Sequence, residues 1–137
     1  MGRPKNLTWQ TPISSGREEE GDTSASVKSE VIALSGCGGS LEISWTGTTA
    51  GTITLQAGNS HDPRKTNAVT GSGQWNGTFN SINALVSPPI VNPAGAAGSM
   101  LIDLNSLRCA FLYIDFVRTS GSGTIKASLQ QPGGGLS

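Results

Sequence analysis

The chain has a single histidine, and it stands beside an acid, as His61-Asp62 in the segment 59–65. Such a pair can perform general acid–base chemistry when a nucleophile is held in the same shell. Neighbouring side chains on an extended chain point to opposite sides, and Asp62-Pro63 is typical of a turn. We therefore interpret the pair as an exposed turn and expect no catalytic residue there.

Other reactive side chains do not cluster along the sequence. Cys37 and Cys109 are far apart and have no neighbouring cysteine or histidine, so we expect buried thiols and neither a disulfide nor a metal site. The acidic residues of the body are scattered, at Glu30, Glu42, Asp62, Asp103 and Asp115. A glycosidase pair of carboxylates among them stays open as an alternative. We expect a protein that is not an enzyme and that has no cofactor or metal.

One aromatic residue has the setting of a ligand platform. Trp75 lies between Gln74 and Asn76 in a long loop, 59–77. Because an indole ring offers both an apolar face and a polar N–H, such a ring flanked by amides suits a sugar. A carbohydrate-binding or receptor-binding module is therefore the alternative function. It loses its main support if Trp75 lies in the core.

Two stretches of alternating residues, 40–58 and 110–130, must supply the scaffold. The alternating apolar positions are Leu41, Ile43, Trp45, Ile53, Leu55 and Ala57 in the first and Leu112, Ile114, Phe116, Ile125, Ala127 and Leu129 in the second. A period of two gives each strand one apolar and one polar face. A short glycine-containing loop interrupts each stretch, so we predict two antiparallel hairpins.

Composition places these strands in one all-β domain. The chain has 137 residues, of which 19 are glycine and only 13% are charged, and no long window shows helical spacing. We predict an antiparallel β-sandwich or barrel over 27–131 and a flexible glycine-rich tail over 132–137. Nine basic residues balance nine acidic ones, so a nucleic-acid partner is not expected. No apolar run is long enough for a membrane span.

Residues 1–26 differ from the rest, because charges, prolines and isolated apolar residues occur there without a period. One interpretation is a disordered tail with a solvated acidic patch. The other is an extended N-terminal arm fixed on a partner, which we adopt. Its anchors would be apolar or aromatic and its charge contacts basic. The candidate partner-binding residues are Arg3, Lys5, Leu7, Trp9 and Ile13.

No charged residue occurs between Thr66 and Ile102. Ordinary strands with uncharged turns would explain this stretch. Cover by another subunit would also explain it, since the cores of interfaces are depleted in charge. We therefore expect a dimer or trimer of this chain in preference to a monomer.

The segments LEISWTGTTAGTITLQ (41–56) and LYIDFVRTSGSGTI (112–125) resemble strand–loop–strand segments of small structural proteins from tailed bacteriophages. Over about 27–130 the chain is most similar to jelly-roll capsid cement (decoration) proteins, whose compact members lack a long arm. The resemblance implies a jelly roll on the outer capsid surface of a virion, made in the host bacterial cytoplasm. Its partner would be the major capsid protein. A neck or tail structural protein of the same style stays an alternative.

Overall fold

The computed structural model describes residues 4–11, 18–34, 39–62, 75–105, 107 and 109–131. Almost all regular structure in these residues is β-strand, together with a short 3-10 helix at Asn83–Leu85. The strands are β1 (Lys5–Asn6), β2 (Trp9–Gln10), β3 (Gly21–Asp22), β4 (Val27–Ser29), β5 (Ile32–Ala33), β6 (Ser40–Trp45), β7 (Ala50–Gly58), β8 (Asn80–Ser81), β9 (Gly98–Asp103), β10 (Phe111–Ser120) and β11 (Thr124–Gln130).

The strands form two antiparallel sheets that pack face to face. Sheet I has the order β1-β11-β6-β9, and β3 also pairs with β11. Sheet II has the order β2-β4-β10-β7-β8, and β5 also pairs with β10. From β6 onward, the chain changes sheet between β6 and β7, between β8 and β9, and again on either side of β10. This is the strand order of a jelly roll, in which two Greek keys close a sandwich. The predicted all-β antiparallel sandwich is confirmed.

The two predicted hairpins are wrong, because β6 does not pair with β7 and β10 does not pair with β11. Instead β6 pairs with β11 and β7 with β10, so each glycine-containing loop crosses from one sheet to the other as an arch. Alternation shows which face of a strand is apolar, but it does not identify the neighbouring strand. A crossing loop turns both apolar faces toward one core, as a hairpin within one sheet also would.

The two arches lie side by side and are joined by backbone and side-chain hydrogen bonds. The amide of Thr46 donates to the carbonyl of Thr124 across 3.0 Å, and that of Thr48 to the carbonyl of Ser122 across 2.8 Å. The hydroxyl oxygens of Thr46 and Thr124 lie 2.9 Å apart. Gly121 has a φ of +77°, which favours glycine, and its Cα packs against the backbone of Thr48. Thr46, Thr48, Thr124 and Gly121 therefore hold the two arches together.

The core lies between the sheets, and all of the predicted alternating apolar positions are buried in it, together with residues that alternation did not predict. Its largest fully buried side chains are Trp9, Phe116, Leu7, Leu41, Ile43, Ile53, Leu55, Ile102, Leu104, Leu112, Ile114 and Ile125. Apolar burial on this scale is the main source of stability in a sandwich.

The described part of 1–26 belongs to the sandwich, which differs from the predicted arm. Leu7 and Trp9 are 0% and 1% exposed and lie in the core. Lys5 pairs in register with Leu129 of β11, and its ammonium lies 3.5 Å from a carboxylate oxygen of Glu30. Strands of two residues are too short to show a period, so composition suggested a tail. Arg3, Ile13 and the tail 132–137 lie outside the described residues.

Candidate interaction surface

Trp75, the predicted ligand platform, lies on the outer face of sheet II and outside the core. Its ring centroid is 6.5 Å from that of Tyr113, and the ammonium of Lys28 lies 5.3 Å from the indole. Both neighbours point outward, since they alternate with buried residues of β10 and β4. The indole N–H donates to the carbonyl of Ser29 across 2.9 Å. The N–H group of the indole and part of its ring are therefore already in contact with other residues of the protein.

The ring of Trp75 belongs to an aromatic cluster that fastens a loop onto sheet II. Phe79 meets Tyr113 edge-on with centroids 4.9 Å apart, and His61 meets Phe111 in the same way at 5.3 Å. Such edge-to-face contacts stabilise aromatic pairs beyond the area that they bury. Tyr113 is only 6% exposed because these rings cover it. The cluster thus packs the two described ends of the segment between β7 and β8 against the outer face of sheet II.

His61 and Asn76 connect the two described ends of that segment. The Asn76 side chain donates to the carbonyl of Asp62 across 2.8 Å and accepts from the Asp62 amide across 2.9 Å. His61 is half-buried between Phe79 and Phe111, so its interpretation as an exposed turn residue is corrected. The amide of Asn76 and the ring of His61 thus have structural roles. Gln74, the third residue of the predicted platform, lies outside the described residues.

A half-buried acid, Asp115, stands at the edge of the same cluster. Asp115 lies opposite Lys28 in the pairing of β10 with β4. Burial raises the pKa of Asp115, and the positive charge of Lys28 acts against that rise. Burial and the negative charge of Asp115 together raise the pKa of Tyr113 to about 12. The hydroxyl of Tyr113 therefore stays protonated at neutral pH.

The outer face of sheet I carries a polar groove of about 220 Å³, whose lining includes Glu19, Glu20, Glu42 and Lys126. Its lining is mostly polar, with side chains from β6, β11 and the segment before β3. Within the described residues, no group of three or more histidines, cysteines and acids is placed to hold a metal ion.

The most distinctive surface is the side of the sandwich where the chain crosses from β8 to β9. We call the residues 83–101 the uncharged side, since they contain no charged residue. Ile82, Val86 and Ile102 on or beside this stretch are buried. Leu85, Val91 and Leu101 remain 64%, 54% and 57% exposed. The stretch for which the sequence predicted cover by another subunit therefore presents three large aliphatic side chains to solvent.

Two asparagine side chains hold the uncharged side against β7. Asn83 accepts from the amide of Leu55 across 2.8 Å and donates to the carbonyl of Ile53 across 3.0 Å. Asn92 accepts from the amide of Ile53 across 3.0 Å. The side-chain amides thus replace a neighbouring strand along this edge of β7. In the sequence these asparagines look like turn residues, and their roles depend on a strand 28 to 39 positions away.

Comparison with protein-family models, with curated proteins and with solved structures found no match for the chain. No helix in the described ranges is long and apolar enough to cross a membrane.

Proposed function

We propose that this chain is a non-enzymatic structural protein of a phage virion. It binds the outside of an icosahedral capsid and stabilises contacts between subunits of the major capsid protein. The observation that carries this proposal is the uncharged side, on which Leu85, Val91 and Leu101 stay exposed. The resemblance of the strand–loop–strand segments to cement proteins supports the identity of the partner.

An exposed aliphatic residue is ordinary on a protein surface when it stands alone. Here three of them occur within seventeen positions of uncharged chain. Charge depletion around apolar side chains is typical of the centre of an interface. The uncharged side therefore suits contact with another protein surface.

The uncharged side is also already ordered by its hydrogen bonds. The side chains of Asn83 and Asn92 fix the crossing segment on β7 at two points. A surface fixed in advance loses little conformational freedom on binding, so more of the contact energy remains as affinity. A net charge of zero limits repulsion between many copies on one shell.

The test is binding to phage shells stripped of their accessory proteins. Deleting 1–26 would remove Leu7 and Trp9 from the core, so point variants are the sharper probe. We expect the intact chain to bind at a fixed copy number and to raise the melting temperature of the shell. Leu85→Lys and Val91→Lys should weaken binding by at least about tenfold, as expected for central contacts.

Val117→Lys is the matched control, because Val117 is 51% exposed and lies on the outer face of sheet II. It should bind like the unmodified chain. Failure of the unmodified chain to bind shells would overturn the capsid proposal. Binding in a ring of few copies, and not in hundreds per particle, would instead indicate a neck or tail protein.

A glycan-binding module is the second candidate, favoured by the position of Trp75 outside the core. The engaged indole N–H and the bond of Asn76 to Asp62 weigh against it. A glycan array distinguishes the two candidates. Hits that disappear in Trp75→Ala, with the fold retained by circular dichroism, would favour the glycan function over the capsid function.

A further inference from the structure

Asn76 is the one asparagine of the chain that is followed by a glycine. The side-chain amide of an asparagine can be attacked by the backbone nitrogen of the next residue, which closes a succinimide ring. Glycine has no Cβ to obstruct this approach, so Asn-Gly is the dipeptide at which the ring closes most easily. The sequence therefore places its most reactive asparagine in the segment between β7 and β8.

The fold needs the asparagine side chain at this position. Its Nδ2 group donates to the carbonyl of Asp62 across 2.8 Å, and its Oδ1 atom accepts from the amide of Asp62 across 2.9 Å. A carboxylate could accept the second bond but could not donate the first. Asn76 thus joins residues 60–62 to residues 76–78, and we call these two short stretches the paired ends.

The glycine is needed for a different reason. Gly77 has a φ of +101°, which favours glycine, and a Cβ on it would lie 3.0 Å from backbone atoms of Ser60 and His61. Next to this close approach, the amide of Thr78 donates to the hydroxyl of Ser60 across 2.8 Å. The paired ends therefore require, at adjacent positions, the two residue types whose combination is the most reactive.

We propose that Asn76 is a site of spontaneous deamidation and that separation of the paired ends controls its rate. The Gly77 nitrogen attacks Cγ of Asn76, the bond between Cγ and Nδ2 breaks, and the proton of the Gly77 amide leaves with Nδ2 as ammonia. Water then opens the succinimide at either carbonyl group, which gives aspartate or isoaspartate. No atom is oxidised or reduced, and water is the co-reactant.

The folded state slows this reaction. Attack turns Cγ of Asn76 from planar to tetrahedral and expels Nδ2, whereas the two bonds to Asp62 hold a planar amide in place. The paired ends must therefore separate first, and such a local opening does not require the sandwich to unfold. The ring of His61 opposes the opening, because its centroid lies 6.1 Å from that of Phe79 and 5.3 Å from that of Phe111.

Deamidation releases the paired ends irreversibly. A carboxylate at position 76 has no proton to donate to the carbonyl of Asp62, and it repels that oxygen. Isoaspartate also adds a methylene group to the backbone directly before Gly77, which shifts the close approach to Ser60. Phe79 follows shortly after in the chain, and its contact with Tyr113 at 4.9 Å between centroids should loosen as well.

Peptide mapping by mass spectrometry, after incubation in mildly alkaline buffer, tests the proposal. In the full chain unfolded by guanidinium chloride, we expect Asn76 to deamidate faster than Asn59 and Asn80, each of which is followed by serine. In the folded protein the rate at Asn76 should be at least about tenfold lower. Faster reaction at Asn59 or Asn80 in the unfolded chain would overturn the proposal. Equal rates at Asn76 in the folded and unfolded states would also overturn it.

His61→Ala tests the control by local opening. It removes the ring contacts of the paired ends but leaves the backbone of Asp62 to bind Asn76. We expect it to raise the deamidation rate at Asn76 in the folded protein at least about threefold. Gly51→Ala is the control, because Gly51 lies near the start of β7 and the paired ends follow its last residue. Equal acceleration by both variants would show that global unfolding controls the rate, which would overturn the proposal.

Asn76→Asp mimics one product and tests the release of the paired ends. Amide hydrogen exchange measured by NMR should be faster at Asp62 and Thr78 than in the unmodified protein, and unchanged at Ile114 in the core. Unchanged exchange at Asp62 and Thr78 would contradict the release. These measurements need no shell, so their outcome is independent of the test of the capsid proposal.

Discussion

The indole N–H of Trp75 donates to the backbone carbonyl of Ser29 across 2.9 Å. This bond spans forty-six positions of sequence and joins Trp75, shortly before β8, to the backbone of β4. The tryptophan that the sequence suggested as a ligand platform therefore forms a hydrogen bond with the protein's own backbone.

Comparison of Trp75→Phe with Trp75→Ala separates the contribution of the hydrogen bond to stability from the contribution of the ring. Trp75→Phe keeps an aromatic ring beside Tyr113 and loses the bond to Ser29, so we expect a loss of about 1 kcal/mol in unfolding free energy. Trp75→Ala also uncovers Tyr113 and should cost about 2 kcal/mol or more. Urea titrations of both variants measure the difference. Unchanged stability in Trp75→Ala would show that the aromatic cluster does not hold the loop.

Ser29→Ala and Ser26→Ala form a matched pair, because both hydroxyls accept from amides of β10. Ser29 is fully buried and accepts from Ile114 across 2.8 Å, whereas the bond from Arg118 to Ser26 is exposed, at 2.9 Å. Ser29→Ala leaves the buried Ile114 amide unsatisfied and should cost about 1–3 kcal/mol. Water replaces the lost hydroxyl in Ser26→Ala, so its cost should stay below about 0.5 kcal/mol. Equal costs in chemical denaturation would contradict this explanation.

Gly51→Ala should destabilise the fold by overpacking. A Cβ at Gly51 would overlap the carbonyl oxygen of Val117 and lie 2.7 Å from two ring carbons of Phe116. Because both neighbours belong to β10, we expect a cost of about 1–3 kcal/mol. Gly95→Ala meets no atom within 4 Å and carries only the strain of a φ of +99°, about 1 kcal/mol. The melting temperature of Gly51→Ala should be lower than that of Gly95→Ala. The reverse order would refute the steric account.

The pKa shifts of Asp115 and Asp22 have opposite signs, so we expect the two carboxyl groups to change stability with pH in opposite directions. Burial raises the pKa of Asp115 above its ordinary value of 3.8, so its ionisation costs stability as pH rises through the folded pKa. Asp115→Asn should therefore match the unmodified protein near pH 3 and gain on it toward pH 7. Hydrogen bonds from the amide and hydroxyl of Ser24 lower the pKa of Asp22. Stability from Asp22 is present above pH 3.8 and lost as pH falls through its folded pKa.

Asp22→Asn is accordingly the control with the opposite sign. It should be less stable than the unmodified protein near pH 7, and the gap should close below the folded pKa of Asp22. Melting temperatures of the three proteins between about pH 3 and pH 7 measure both trends. Parallel curves for all three proteins would show that neither carboxyl contributes as described.

The sequence predicts those features that depend on neighbouring positions. Alternation assigned Leu112, Ile114 and Phe116 to the core, and all three are fully buried. It could not identify the partner of a strand, because arches and hairpins satisfy the same pattern. It also missed Leu7 and Trp9, since strands of two residues carry no period.

The candidate surface was only partly predictable. The absence of charged residues between Thr66 and Ile102 suggested an interface, but it did not show which side chains are exposed. Leu101 is exposed, whereas Met100 and Ile102 beside it are buried, because β9 turns alternate residues toward the core.

The pairing of Lys5 with Leu129 has a consequence for how the chain is made. Strand β1 pairs with β11, and β6 also pairs with β11. During translation the chain must therefore leave the ribosome as far as β11 before sheet I can close. Such long-range pairing is slow, on the order of milliseconds to seconds. In that interval the apolar faces of the early strands are uncovered, so the expression yield should depend on chaperone supply and growth temperature.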